Sequence, residues 1–112
     1  MDNIIFDQIR KDIHENDVVL YLKGTKVFPQ CGFSAAVVQI LMEMGADFKD
    51  VNVLEDNILR EAIKEFTQWP TIPQLYVKGE FIGGCDIVRE MYEAGELKDL
   101  MQEKDIPLSS AA

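Results

Sequence analysis

The residues best suited to chemistry lie at 29–34, where Pro-Gln-Cys-Gly-Phe-Ser joins a polar loop to an apolar run with helical spacing. Cys31 stands where this helix would begin. A thiol there faces unpaired backbone N–H groups and the positive end of the helix dipole. Both favour the thiolate, which attacks disulfides and binds metals. Ser34 occupies the position of a second cysteine in a Cys-x-x-Cys pair. We therefore expect one reactive thiolate; the alternative, a buried structural cysteine, is disfavoured by the flanking Pro29 and Gly32.

The composition of the chain is typical of one compact globular domain. The chain has 112 residues, of which 47% are hydrophobic and 28% are charged, so it can bury a core. We expect a single domain over residues 1–106 and a flexible tail over residues 107–112. The net charge of −9 argues against nucleic acid as a partner, because backbone binding needs clustered Lys and Arg.

Three features bear on the cellular compartment. The one long apolar stretch, 33–44, carries Gln39 and Glu43 and is too short to span a bilayer. The N-terminus lacks a basic region followed by an apolar one. Two cysteines do not make a disulfide framework, and free thiols suit a reducing environment. We therefore expect a soluble protein of the cytoplasm, or of another reducing intracellular compartment, with no membrane partner.

The spacing of apolar residues predicts the elements that position Cys31. In chain order they are helix 3–15, strand 18–22, helix 33–44, strand 48–53, helix 56–66, strand 74–77, strand 81–83, helix 86–94 and a continuation past Gly95. Asp2 or Asn3 would cap the first helix, and Gly45 would end the second. The continuous apolar run 18–22 favours a strand buried on both faces. Strands joined through a helix should lie parallel, and the hairpin at 78–80 adds an antiparallel pair, giving a mixed α/β sandwich.

Four motifs together resemble those of a known family. They are Lys23 at the end of the first strand, Cys31-Gly32-Phe33-Ser34, Trp69-Pro70-Thr71-Ile72-Pro73, and Gly83-Gly84-Cys85-Asp86. In this order they are similar to those of a monothiol glutaredoxin of the CGFS type. The resemblance implies a thioredoxin-like three-layer sandwich with a central mixed four-stranded sheet. It also implies glutathione binding and a 2Fe-2S cluster that bridges two protomers, with a role in cluster storage, transfer and assembly.

The resemblance also implies which residues hold glutathione. Lys23 and Arg60 match the positions that bind its glycine-end carboxylate, and Lys64 would share the face of Arg60 one helical turn later. Lys26 would add local positive potential. The Ile72 backbone would pair with the peptide unit of glutathione, with Pro73 in the cis form. The γ-glutamyl end would be bound by Cys85, mainly through its backbone, and by the carboxylate of Asp86. Trp69 and Phe33 would be packing or pocket-wall residues.

The number of ligands favours a dimer. A 2Fe-2S cluster normally takes four ligands, usually thiolates, and each chain offers only Cys31 in an accessible position. Two protomers would supply two thiolates and two glutathione molecules the others, in a two-fold symmetric homodimer. Further partners implied by the resemblance are a BolA-type protein and apo iron-sulfur acceptor proteins.

Two other functions and one structural question stay open at this point. Cys31 also suits a glutathione-dependent thiol-disulfide oxidoreductase that needs one cysteine. By resemblance, the seven-residue loop 24–30 goes with cluster binding and feeble reductase activity. A glutathione-binding adaptor for a BolA-type partner is a third, weaker hypothesis. A disulfide between Cys31 and Cys85 would require Cα atoms within about 7 Å, which the sequence does not decide.

Two residue types receive only a structural interpretation. His14 has no second histidine at ligand spacing, so we expect no metal role for it. The methionines of the predicted helices should fill the core; they are Met42, Met44, Met91 and Met101.

Overall fold

A computed structural model describes residues 3–109 of the chain. Its elements are α1 (Ile4–Glu15), β1 (Val18–Leu22), α2 (Gly32–Met44), β2 (Lys49–Asn52), α3 (Asn57–Thr67), β3 (Gln74–Val77), β4 (Glu80–Gly83), α4 (Cys85–Glu93) and α5 (Glu96–Glu103). One turn of 3-10 helix, Val53–Glu55, joins β2 to α3. In the described range, no helix combines the length and the apolar character needed to cross a membrane.

The strands form a mixed sheet of four in the order β2-β1-β3-β4. Strand β1 pairs in parallel with β2 and antiparallel with β3, and β3 and β4 form the hairpin predicted at 78–80. Lys78 and Gly79, with φ of 51° and 82°, are the two left-handed residues of its turn, and glycine adopts this conformation without strain. All five residues of β1 are buried, which confirms the prediction of a strand covered on both faces.

Two hydrophobic clusters cover the two faces of the sheet and complete the predicted three-layer sandwich. Because successive strand residues point to opposite faces, Leu20 and Leu22 join one cluster, and Val19 and Tyr21 join the other. Helices α2, α4 and α5 pack on the first face through Val37, Leu41, Val88, Leu97 and Met101. Helices α1 and α3 pack on the second face through Ile9, Ile13, Leu59 and Ile63.

Local signals in the sequence set the helix ends. The side-chain oxygen of Asn3 accepts a hydrogen bond from the backbone N–H of Phe6 at 3.1 Å, so Asn3 caps α1; Asp2, the other expected cap, lies outside the described residues. Gly45 ends α2 with φ of 69°, as predicted. Gly95, with φ of 79°, separates α4 from α5, so the predicted continuation is a helix of its own.

The expected packing of the methionines is wrong for Met42, whose exposed fraction is 54%. Its neighbour Leu41 is completely buried, because adjacent helical residues are turned about 100° apart around the helix axis. Met44 and Met101 lie in the core as expected, and Met91 packs against it.

The chain after α5 makes contacts beyond residue 106. Leu108 forms a β-bridge with Ala46, and the backbone N–H of Ser109 donates to the carbonyl of Gly45 at 3.0 Å. Residues 110–112, the rest of the expected tail, lie outside the described residues.

Replacing Leu41 by Ala should lower the free energy of unfolding by about 2–5 kcal/mol, because it leaves a cavity under the sheet. The matched change Met42→Ala removes an exposed side chain and should cost only about 0.5 kcal/mol. Urea-induced unfolding measures both. Equal losses from the two neighbours would contradict the described orientation of α2.

Candidate functional site

Cys31 is the N-cap residue of α2 and is partly exposed. Its backbone is extended, and its carbonyl accepts the first helical hydrogen bond from Ala35 at 2.9 Å. The backbone N–H of Ser34 is the main cause that lowers the pKa of the Cys31 thiol. The N–H of Phe33, the Ser34 hydroxyl and the charge of Lys23 lower it further, while partial burial opposes them. The helix start therefore favours the thiolate.

Ser34 has a structural role that sequence reasoning missed. Its hydroxyl oxygen is fully buried and accepts a hydrogen bond from the backbone N–H of Lys23 at 3.1 Å. The bond ties the first turn of α2 to the residue that follows β1. The only signal in the sequence was a hydroxyl at a helical position that faces the core.

The loop from Gly24 to Gln30 is held by its own hydrogen bonds. The N–H of Gln30 donates to the Lys23 carbonyl at 2.8 Å, and the N–H of Gly24 donates to the side chain of Asn52 at 2.9 Å. Gly24 has φ of 97°, and a Cβ added there would lie 2.5 Å from the Phe28 carbonyl oxygen, so only glycine fits. Because these bonds hold the loop near the end of β1, they fix the position of Cys31, which follows the loop.

The four predicted cations behave differently in the fold. The Lys26 ammonium donates to the Phe48 carbonyl and lies 4.4 Å from the centre of the Phe48 ring. Lys64 pairs with Glu61 at 3.0 Å. Within residues 3–109, neither Lys23 nor Arg60 forms an ion pair. Of the four, these two keep their charges available.

Lys23 and Arg60 are both associated with the same edge of the sheet. Lys23 directly follows β1, and Arg60 lies near the start of α3, which follows β2 through the 3-10 turn. Because β1 and β2 are parallel, their carboxyl ends meet at one edge. The Gly24–Asn52 hydrogen bond joins the two strand ends directly.

A cavity of about 220 Å³ lies next to the start of α2. Its lining brings together three predicted ligand residues, Ile72, Cys85 and Asp86, and the two predicted wall residues, Phe33 and Trp69. Thr71, Pro73, Gly84 and Ile87 complete the lining. Cys31, Lys23 and Arg60 do not line this cavity; Cys31 lies two residues before Phe33.

One wall of the cavity is the segment Trp69–Pro73. The Ile72–Pro73 peptide bond is cis, as the resemblance implied. Ile72 precedes the β1–β3 register, which begins at Gln74, so it is outside the ladder. Sequence reasoning missed Gln74 itself, a fully buried amide that holds this segment. A lone amide in an otherwise apolar strand was the available signal.

The opposite wall is the start of α4. Gly83 has φ of 155°, and a Cβ added at Gly84 would meet the Pro73 carbonyl and the Trp69 indole nitrogen at 3.3 Å. Small residues therefore let α4 approach the Trp69–Pro73 segment closely. Cys85 is buried and its sulfur contacts the Arg89 guanidinium at 3.6 Å, while Asp86 is exposed. Cys31 and Cys85 are both free thiols.

Residues 3–109 contain no group of three or more His, Cys, Asp or Glu side chains placed to hold a metal ion. A metal centre that includes Cys31 would therefore need ligands from another molecule. A larger cavity, of about 880 Å³, lies around Val18 and Phe48, and none of the predicted site residues lines it.

Comparison with known proteins gives a consistent result. The family model described as Glutaredoxin matches residues 18–82. "Probable monothiol glutaredoxin 2" of Rickettsia typhi is 51% identical over 104 residues, which cover 93% of this chain and 94% of that protein. "Monothiol glutaredoxin-5, mitochondrial" of Saccharomyces cerevisiae is 54% identical over 103 residues, which cover 86% of this chain and 69% of that protein. The protein in the solution structure of reduced poplar apo GrxS14 is 51% identical in sequence. The two structures match with a TM-score of 0.78 over 88% of this chain and 90% of that one. The predicted thioredoxin-like fold is confirmed.

The lowered pKa of Cys31 predicts an early rise in thiol reactivity with pH. In the Cys85→Ser protein Cys31 is the only thiol. Its alkylation by iodoacetamide should reach half of the maximal rate at a lower pH than that of an unstructured cysteine peptide, which has the ordinary thiol pKa. Lys23→Ala should move this midpoint upward, and Lys49→Ala, which removes a lysine paired with Asp12, should not. A midpoint at or above the ordinary value would refute the thiolate assignment.

Proposed function

This chain belongs to the glutaredoxin family, among its monothiol members. On that basis we propose that it carries a 2Fe-2S cluster shared between two protomers. Cys31 of each protomer and two glutathione molecules would be the ligands. The protein would act in storage, transfer and assembly of such clusters. The observation that carries this proposal is Cys31, a partly exposed thiol with a lowered pKa and no second thiol in its motif.

The cavity at the start of α2, together with Lys23 and Arg60 outside its lining, offers the groups that glutathione requires. Glutathione is a peptide-like anion with two carboxylates and one ammonium. Ile72, outside the ladder, would pair with its peptide unit like an added strand. Free N–H groups at the start of α4 suit one carboxylate, and the exposed Asp86 suits the ammonium. Lys23 and Arg60 would hold the other carboxylate.

The cluster would be cargo that each chain binds through one residue. A thiolate is the usual protein ligand of iron-sulfur clusters, and Cys31 favours that form. The described residues contain no group of three or more His, Cys, Asp or Glu side chains placed to hold a metal ion, so the proposed cluster would draw its other ligands from a second protomer and from external thiolates. Val27, Phe28 and Phe33 are 69%, 71% and 62% exposed and flank Cys31 in sequence, so a second protomer would bury apolar surface there.

Exchange of one protomer would pass the cluster on. A BolA-type protein or an apo iron-sulfur acceptor would take the place of the second protomer at the same exposed thiol. Both cysteines are free thiols, so we place this function in the cytoplasm or another reducing compartment.

The lowered pKa of Cys31 also supports a second candidate function, deglutathionylation. The Cys31 thiolate would attack the glutathione sulfur of a glutathionylated protein and release the protein thiolate. Cys31 would then be held in a mixed disulfide with glutathione. A second glutathione thiolate would break that disulfide, restoring Cys31 and forming glutathione disulfide.

Protein expressed with iron and glutathione should be brown and dimeric, with visible absorption that depends on glutathione. Cys31→Ser should abolish this absorption because the one protein ligand is lost. Cys85→Ser should retain most of it. Absorption spectroscopy and size-exclusion chromatography measure both properties. A colourless monomer that rapidly reduces mixed disulfides would favour the oxidoreductase, and equal loss in both variants would refute the ligand assignment.

Lys23→Ala and Arg60→Ala should each weaken glutathione binding by about 1–3 kcal/mol, because each removes a charged hydrogen-bond donor. Lys64→Ala is the matched control, since Lys64 already pairs with Glu61 and should matter less. Chemical-shift titration of the apo protein with reduced glutathione gives the dissociation constants. Unchanged affinity in Lys23→Ala and Arg60→Ala would remove these residues from the pocket.

A further inference from the structure

Gln74, the first residue of β3, is fully buried, and both the nitrogen and the oxygen of its amide have hydrogen-bond partners. Its nitrogen donates to the carbonyl of Trp69 at 3.1 Å and to the carbonyl of Thr71 at 3.2 Å. Its oxygen accepts from the hydroxyl of Tyr76 at 3.0 Å. Two donors and one acceptor thus meet three partners deep in the protein, where unpaired polar groups are costly.

Aromatic side chains close this network into a ring of contacts. The ring centroids of Tyr76 and Phe81 lie 5.4 Å apart, and those of Phe81 and Trp69 lie 5.9 Å apart. The Trp69 carbonyl accepts the hydrogen bond from the Gln74 amide, which completes the cycle of contacts. Burial raises the pKa of Tyr76, so its phenol remains a neutral donor to Gln74 over the physiological pH range. This cycle of contacts fixes both the backbone and the side chain of Trp69.

The segment 69–73 depends on this amide because it has little other backbone support. Ladder pairing with β1 begins only at Gln74. The N–H of Trp69 is bonded to the end of α3, through the Lys64 carbonyl and the Thr67 hydroxyl. Between Trp69 and β3, the Gln74 amide holds the carbonyl of Thr71 from inside the protein. The residues that follow, Ile72 and Pro73, line the cavity.

We propose that Gln74 is a positioning residue, whose buried amide draws the Trp69 and Thr71 carbonyls inward and so presents the Ile72 backbone to a bound peptide-like thiol. The proposal rests on the proposed function, in which that ligand is glutathione. Gln74 does not line the cavity, so it would act on a ligand only through the segment 69–73. It sets the affinity of the pocket and leaves the reactivity of the Cys31 thiol unchanged.

The single tryptophan of the chain reports on the segment directly, because Trp69 is the only residue of its type. In Gln74→Leu, which has a side chain of similar size and removes both donors and the acceptor of the Tyr76 hydroxyl, Trp69 emission should shift to the red and acrylamide quenching should increase. Glutathione should bind about tenfold more weakly. The alkylation rate of Cys31 should stay within about twofold of the parent value, since the helix start that activates it is untouched. These measurements use the full chain without cluster.

Two more variants separate positioning from stability. Leu97→Ala removes a buried side chain of α5 and should lower stability without changing Trp69 emission or glutathione affinity. Gln74→Glu keeps the shape, but its carboxylate cannot donate to the two carbonyls. Protonation restores one donor, and burial raises the pKa of a carboxyl group. Its Trp69 emission should therefore return towards that of the parent protein as the pH falls from 7.5 to about 5.

The outcomes are distinct. Red-shifted emission and weaker binding in Gln74→Leu, with recovery of Gln74→Glu at low pH, support the proposal. Parent-like emission and affinity in Gln74→Leu would overturn it, as would an equal loss of affinity in Leu97→Ala. If the parent protein does not bind glutathione, the proposed function fails, whereas the fluorescence of the two Gln74 variants still decides whether the amide positions the segment.

Discussion

The site depends on one hydrogen bond, in which the Lys23 backbone N–H donates to the buried Ser34 hydroxyl at 3.1 Å. It fixes the first turn of α2 against the end of the central strand, and the Gln30–Lys23 bond closes the loop between them. Cys31 is therefore held where the N–H groups of Phe33 and Ser34 stabilise its thiolate. Ser34 thus has a structural role: besides replacing the second cysteine of a Cys-x-x-Cys pair, its hydroxyl accepts the hydrogen bond that holds the start of α2 and, with it, Cys31.

Charge is distributed so that positive groups remain available at the edge of the sheet where β1 and β2 end. The chain has a net charge of −9, and Lys26 and Lys64 are engaged by Phe48 and Glu61. Lys23 and Arg60, which form no ion pair among residues 3–109, are associated with the edge where β1 and β2 end. An anionic ligand is favoured at that edge, and acidic surface elsewhere disfavours its binding at other places.

The two sides of the site are built by different physical means. The thiolate is stabilised by the free N–H groups at the start of a helix, which are local to residues 31–34. The facing wall, 69–73, lies outside the ladder and is held by a buried amide from the next strand. The proposed chemistry needs a second thiol from a ligand, because the motif has only one, so it relies on that wall as much as on Cys31.

The sequence by itself determined the element order, the buried central strand, the helix ends at Asn3 and Gly45, and the position of Cys31 at the start of a helix. These follow from apolar spacing and from residues within one turn of one another, so the local chain encodes them. Only the tertiary structure decided that Ser34 bonds Lys23 eleven residues away, that Lys26 reaches Phe48 across 22 residues, that Gln74 holds Trp69 and Thr71, and that Met42 faces solvent. Such contacts arise when helices, strands and loops dock, and the spacing of one segment does not specify which groups of another it will meet.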